Sequence, residues 1–249
     1  MSRPLPPDTP PHVREALRRT VAIIPVWNEE AGIGLTLDDL PEGLVPIVVD
    51  NGSTDRTMEI VRSRGAHLIH EEKKGYGVVL KRGIREIPGH APEALYVTFV
   101  DGDHADHTEE IPDMLRHVAE NRYDMVIGSR VAGESEPGAL PLQSRFAIWY
   151  ARLLLWRLFR VRCTDIGPLR VLRIDTLARM DMQDDSWGWT VEMQAKAARL
   201  NLRVLEVPTR YRKRPGHSKI SGALKTAAKA GWKILLTEIK WRFKPFASS

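Results

Sequence analysis

Short runs of β-branched and aliphatic residues alternate with stretches of helical length along the first half of this chain, and that alternation leaves few folds open. The runs are VAIIPV (Val21 to Val26), PIVVD (Pro46 to Asp50), AHLIH (Ala66 to His70), ALYVTFVD (Ala94 to Asp101) and DMVIG (Asp124 to Gly128). Polar segments with helical spacing, such as Thr57 to Arg64 and Thr108 to Asn121, lie between them. Such a pattern predicts an α/β fold: a Rossmann-like, mostly parallel sheet with helices on both faces. Ligands of such sheets sit beyond the carboxyl ends of the strands, so the residues just after each run are where chemistry is sought.

The second half reads as a helix from Gln143 to Arg160, a strand Leu169 to Arg173, an aromatic turn SWGW (Ser186 to Trp189), a helix Val191 to Leu200 and a strand Leu202 to Pro208. A basic loop, YRKRPGHSK, leads into a last helix from about Gly222 to Phe243. Five prolines in the first dozen residues predict an unpacked leader over 1–17. No linker separates the halves, so 18–222 reads as one domain, with 223–249 a basic and aromatic C-terminal helix.

Composition narrows the function classes. With 43% hydrophobic and 28% charged residues, the 249-residue chain is globular, and its richest apolar stretch, Phe146 to Phe159, carries Arg152 and Arg157, which argues against a membrane span. One cysteine, Cys163, forms no internal disulfide, and the start MSRPLPPDTPPH lacks the apolar core of a secretory signal, so a cytoplasmic setting is expected. The net charge of +5 suits a phosphate-bearing ligand or an anionic membrane surface. The basic residues are spread along the chain without a recognised nucleic-acid module, so no nucleic-acid partner is expected.

The strongest motif is DGDHADH, Asp101 to His107, directly after an apolar strand. Two carboxylates at i and i+2 on a strand-end loop can hold one hard divalent cation, Mg²⁺ or Mn²⁺, which in turn neutralises a diphosphate. An EF-hand reading lacks the third ligand, the glycine and the terminal glutamate. Zinc binding by His104 and His107 lacks a cysteine partner nearby. Earlier strand ends supply Asn28, Glu29 and Glu30, then Asp50 with Gly52, Ser53 and Asp55 in the following turn. A carboxylate at Asp50 can accept from a nucleobase NH or a ribose hydroxyl, while the Gly-Ser turn admits close backbone approach. The same residues also make an ordinary turn and helix cap. KKGYGVVLKRGI adds Lys74 and Lys81 as phosphate contacts.

PVWNEE, VVDNGSTDRT, DGD, VIGSR and RPGHSKISG stand in the order seen in family 2 glycosyltransferases. The chain resembles that family from Val21 to Gly222, and most of all its dolichyl-phosphate mannose and glucose synthase branch. The resemblance implies a GT-A fold, a UDP- or GDP-sugar donor, a divalent metal and inversion at the anomeric carbon. It places Pro25, Asn28, Glu29 and Asp50 at the nucleoside, and Asp101 and Asp103 at the metal and diphosphate. The chain departs from the family pattern at Ala105, where a glutamine is usual, at Asp165 to Arg170 and at Trp189 to Glu192.

Two acceptors follow from the chemistry. A polyprenyl phosphate is already ionised near neutral pH and needs cations rather than a base; Arg130 and Arg145 match the positions where the family holds the lipid phosphate. A soluble hydroxyl acceptor instead requires a carboxylate base, for which Glu192, Asp185 and Asp165 are the candidates. Arg212, Arg214 and Lys219 are expected to close over the donor diphosphate. Phe146 to Phe159, with Arg145 and Arg152 on one face, and the last helix, with Lys225, Lys229, Lys233 and Lys240 beside Trp232, Trp241 and Phe243, suggest peripheral membrane contact or, equally, ordinary packing.

Overall fold

Seven strands in the order β3-β2-β1-β4-β6-β5-β7 form one sheet in the computed structural model of the chain, which describes residues 2–216 and 235–244. They are β1 (Thr20–Val26), β2 (Val45–Asp50), β3 (His67–His70), β4 (Tyr96–Phe99), β5 (Met125–Ser129), β6 (Arg170–Arg173) and β7 (Val204–Pro208). β3, β2, β1 and β4 run parallel, as do β5 and β7, whereas β6 lies antiparallel between β4 and β5. The mostly parallel expectation holds. The reversed β6 joins its two halves.

Burial on both faces explains the unbroken apolar runs. Ala22, Ile24, Val26 and Val48 face a cluster with Leu17 of α1 (Pro11–Arg18), Ile33 of α2 (Ile33–Asp39), Val61 of α3 (Thr57–Ser63) and Leu115 of α5 (Ile111–Ala119). Val21, Ile23, Ile47 and Val49 point the other way, onto Val79 and Leu80 of α4 (Tyr76–His90), Leu177 of α7 (Ile174–Met180) and Trp189 and Met193 of α8 (Trp189–Arg199). Period-2 alternation thus feeds two cores rather than one core and one solvated face. A third cluster joins Ala151 and Leu155 of α6 (Leu142–Phe159) to Val191 and Ala195 of α8 and to Trp241.

The proline-rich start is corrected by the structure. Pro11 occupies the first turn of α1, where its missing N–H costs nothing, and Val13, Ala16 and Leu17 bury one stripe against the sheet layer. At the other end, residues 235–243 are helical. Lys219, Lys225, Lys229, Trp232 and Lys233 lie outside the described residues.

Glu238 is buried with neither carboxylate oxygen hydrogen-bonded, and burial pushes its carboxyl up to about 9. The folded chain therefore keeps at neutral pH a proton that the unfolded chain releases near pH 4, so this group subtracts stability as pH rises from about 4 towards 9. Glu238→Gln should stabilise the protein by about 1 to 3 kcal/mol at pH 7 and by much less at pH 4.5. Thermal melts of both proteins at the two pH values check this; an equal effect at both would remove the titration from the explanation.

Candidate active site

The carboxyl ends of β1, β2 and β4 open into one cleft of about 680 Å³. Pro25, Val26, Trp27 and Glu29 follow β1 into it, Asn51 follows β2, and Asp101, Gly102 and Asp103 follow β4. Gly75, Tyr76 and Val79 close it from α4, Ser186 and Trp187 from the loop before α8, and Arg214 from the basic loop.

Asp101 and Asp103 face each other's charge at the floor. Burial, and then the charge of Asp103, push the Asp101 carboxyl up to about 7, although the Tyr76 hydroxyl donates to its Oδ1 at 3.1 Å. Asp103 accepts from the Ala105 amide at 3.0 Å and from the Arg214 guanidinium, which also lies 3.9 Å from Glu29. Asp106 is buried close enough for both charges to act on it. Burial first, then Asp101 and Asp103, raise its carboxyl well above the ordinary range, and its Oδ2 has no hydrogen-bond partner. These hard oxygens, poorly supplied with positive charge, fit a divalent cation. No group of three or more His, Cys, Asp or Glu residues disposed to hold a metal occurs among the described residues.

The basic loop is pinned onto the DGD turn by its own backbone. Arg212 donates its amide to the Ala105 carbonyl at 2.9 Å, and Tyr211 makes an isolated bridge with Asp106. That places Arg214 over Asp103. The side chain of Arg212 turns away from the cleft, to Asp39 at 3.1 Å, His104 at 2.7 Å and Glu109 at 3.4 Å.

Of the residues expected at the donor, Pro25, Glu29, Lys74, Asp101, Asp103 and Arg214 line the cleft. Several others build its walls instead. Asp50 is fully buried, takes the amides of Gly52 at 3.0 Å and Ser53 at 3.1 Å, and lies 3.1 Å from His70 Nδ1; its carboxylate braces the turn rather than facing the ligand space. Asn28 Oδ1 accepts from the Thr54 amide at 2.7 Å, and Ser53 Oγ accepts from the Asn28 amide at 2.8 Å, so both staple β1 to the turn after β2. Gly52 has φ +80°, and the Lys74 ammonium occupies the space a Cβ would need. Lys81 is held by Asp185 and by the Gln183 carbonyl at 3.2 Å.

The residues expected at the acceptor do not line this cleft. Arg130 donates Nε and Nη2 to Asp165 at 2.8 and 2.9 Å, stands 5.1 Å over the Tyr211 ring, and does not line the cleft. Arg145 is exposed on α6, also away from it. Glu192 is fully buried, accepting the amides of Gln183 at 2.8 Å and Asp184 at 2.6 Å and pairing with Lys196 at 2.8 Å. It fixes the loop before α8.

Sequence reading missed Trp27, Asn51, Tyr76 and Trp187 as lining groups. Trp27 sits inside the quoted PVWNEE motif and Trp187 in the SWGW turn, so strand-end position was the available signal. The KKGYG glycines have a steric cause: a Cβ at Gly77 would lie 2.0 Å from the Asp184 carbonyl oxygen, which brings the 184–187 loop against α4.

Residues 21–179 match the family Glycosyl transferase family 2. An undecaprenyl-phosphate mannosyltransferase of Micrococcus luteus is 32% identical over 221 residues, spanning 83% of this chain and 89% of that one. A dolichyl-phosphate hexose transferase of Haloferax volcanii is 30% identical over 202 residues, spanning 80% and 85%. In fold, the chain is similar to glucosyl-3-phosphoglycerate synthase of Mycobacterium tuberculosis, solved with Mn²⁺, UDP and phosphoglyceric acid, with a TM-score of 0.71 at 19% identity over 94% of this chain and 83% of that one. With sheet, cleft and motif order in agreement, this chain is a GT-A-fold glycosyltransferase and belongs to glycosyl transferase family 2.

Proposed function

We propose that the enzyme moves a hexose, with inversion, from a nucleoside diphosphate donor to a polyprenyl phosphate. One observation carries the choice of acceptor: Glu192, Asp165 and Asp185, the three carboxylates expected as a base for a hydroxyl nucleophile, are each committed elsewhere. Glu192 is enclosed in its pair with Lys196 and two backbone amides. Burial works to raise the Asp165 carboxyl, yet the hydrogen bonds and charge of Arg130 leave it below its ordinary value. Lys73 and Lys81 hold Asp185 down at about 2. Groups this acidic or enclosed make poor proton acceptors near neutral pH. A phosphate monoester needs none, because it is already an oxyanion. Two relatives named for undecaprenyl and dolichyl phosphate support the same reading.

The apolar wall of Pro25, Val26 and Trp27 suits a nucleobase, and Lys74 and Arg214 suit its diphosphate. The N-terminus of α4 opens beside them with its positive dipole end. Asp101 and Asp103 would hold a divalent cation, which when bound would neutralise the departing diphosphate. Tyr76 orients Asp101 through its hydroxyl, and Arg214, resting on Asp103 and Glu29, is the side chain placed to turn onto the diphosphate. Trp27 and Trp187 narrow the cleft against water.

Asp103→Ala should lower transfer by at least ~10²-fold with the fold intact, and a chelator should silence the unmutated enzyme until Mg²⁺ or Mn²⁺ is restored. Undiminished transfer in chelator would remove the cation from the reading. Arg214→Ala should weaken UDP or GDP binding about 10- to 100-fold, the worth of a charge-assisted contact, while hardly changing nucleoside binding. Calorimetric titration with each ligand measures the difference.

The acceptor is tested by transfer from a panel of UDP- and GDP-hexoses to a short-chain polyprenyl phosphate in detergent. Asp185→Asn should keep turnover within about tenfold of the unmutated enzyme, far from the ~10²- to 10⁴-fold loss expected of a base. Transfer to soluble hydroxyl compounds but not to the lipid phosphate, together with a dead and folded Asp185→Asn, would replace the polyprenyl reading.

A further inference from the structure

Five of the exposed large apolar side chains among the described residues lie on one helix. Leu142, Phe146, Trp149, Leu153 and Trp156 of α6 keep 80%, 65%, 53%, 39% and 39% of their surface in solvent. Their spacing of four, three, four and three residues puts all five on one stripe, opposite the buried Ile148 and the buried Ala151 and Leu155 that seat α6 on α8. A helix in a soluble protein is not expected to turn its aromatic face outward over its whole length. Phe146 stacks parallel to Tyr150 at 6.5 Å between centroids and lies 5.6 Å from Trp149, so the rings form a continuous platform.

Charge decides what covers this face. From Pro137 to Thr164 the chain carries Arg145, Arg152, Arg157, Arg160 and Arg162 and no acidic residue. Arg145, Arg157, Arg160 and Arg162 are exposed, and none is ion-paired among the described residues. A groove of about 450 Å³ runs between Trp149, Leu153 and Trp156 on one side and Arg162 and Thr164 on the other, with Arg152 anchored in it by its bond to the Cys163 carbonyl at 2.7 Å. A second copy of the chain would match the apolar spacing, but it would bring two five-arginine faces together without a counter-charge. An anionic lipid surface satisfies both properties at once: rings enter the headgroup layer while arginines meet phosphates.

We infer that the outer face of α6 docks onto an anionic bilayer, with the Trp149–Trp156 groove receiving a phosphate-bearing lipid headgroup. No described helix is long and apolar enough to cross a membrane, so the contact is interfacial. The helix lies along the surface, with its stripe buried to the depth of the headgroups.

The full chain, without donor or acceptor, is floated with vesicles of phosphatidylcholine alone and of phosphatidylcholine with about a third phosphatidylglycerol. Binding is expected on the anionic vesicles only and should weaken as salt is raised. Arg157→Gln with Arg162→Gln should weaken it by roughly fivefold per charge. Trp149→Ser with Trp156→Ser should abolish it while UDP affinity and melting temperature stay unchanged, since both side chains are exposed and lie outside the donor cleft. The inference is overturned if the unmutated chain ignores anionic vesicles or if the tryptophan pair is dispensable. It is equally overturned if sedimentation shows that the pair instead dissolves a dimer. Because no sugar transfer is measured, the result is independent of the acceptor reading: either can fail while the other stands.

Discussion

The Asp165 carboxylate is the knot on which the two halves of the sheet depend. It accepts from the Arg130 amide at 2.9 Å, from Arg130 Nε and Nη2, and from the Ile166 amide at 2.7 Å. Glu206 of β7 takes the amides of Thr164 at 2.7 Å and Asp165 at 3.1 Å. The end of β5, the approach to antiparallel β6 and the edge strand β7 are thereby fixed to one another by charge-assisted bonds in a buried place. Stranding either member of such a pair costs about 3 to 5 kcal/mol, whereas the intact pair contributes little net stability. Its value is positional. A Cβ at Gly167 would come within 2.8 Å of the Gly128 carbonyl oxygen, so the segments can approach this closely only because that position is glycine.

Charge in the cleft is arranged around a deficit. Asp101, Asp103 and Asp106 crowd one turn, and the Arg214 guanidinium reaches Asp103. A diphosphate brings further negative charge to the same turn. On the proposed reading, a divalent cation held at Asp101 and Asp103 would offset part of that charge beside Lys74 and Arg214.

What the sequence made legible follows from range. The strand runs were readable because burial on both faces writes itself into consecutive residues, and DGD, PVWNEE and DNGSTD because strand ends point at ligand space. The direction of β6 was not readable, since four residues, RVLR, carry no sign of which way they pair. α1 was hidden by its prolines, although Pro11 in a first turn and the Val13, Ala16, Leu17 spacing were the signal to weigh against them. Arg130 and Asp165 were both singled out, for different tasks. Their pairing across 35 residues of chain is a tertiary fact that neither local motif shows. Asp50 was similarly placed by its strand end but spent on its own turn, the competing local reading of an Asn-Gly-Ser-Thr segment.

α8 connects the exposed face of α6 with the edge of the cleft. On one side Val191 and Ala195 hold α6, whose outer face carries the aromatic stripe. On the other, Glu192 reaches the Gln183 and Asp184 amides and so sets the loop that delivers Ser186 and Trp187 to the cleft. Adjacent residues of one helical turn thus tie the outward platform to the donor wall through packing and a buried ion pair, with no loop intervening. Close-packed interiors transmit displacement rather than absorb it. α8 is thus the element shared by the platform and the cleft edge, through Val191 and Ala195 towards α6 and through Glu192 towards the 183–187 loop.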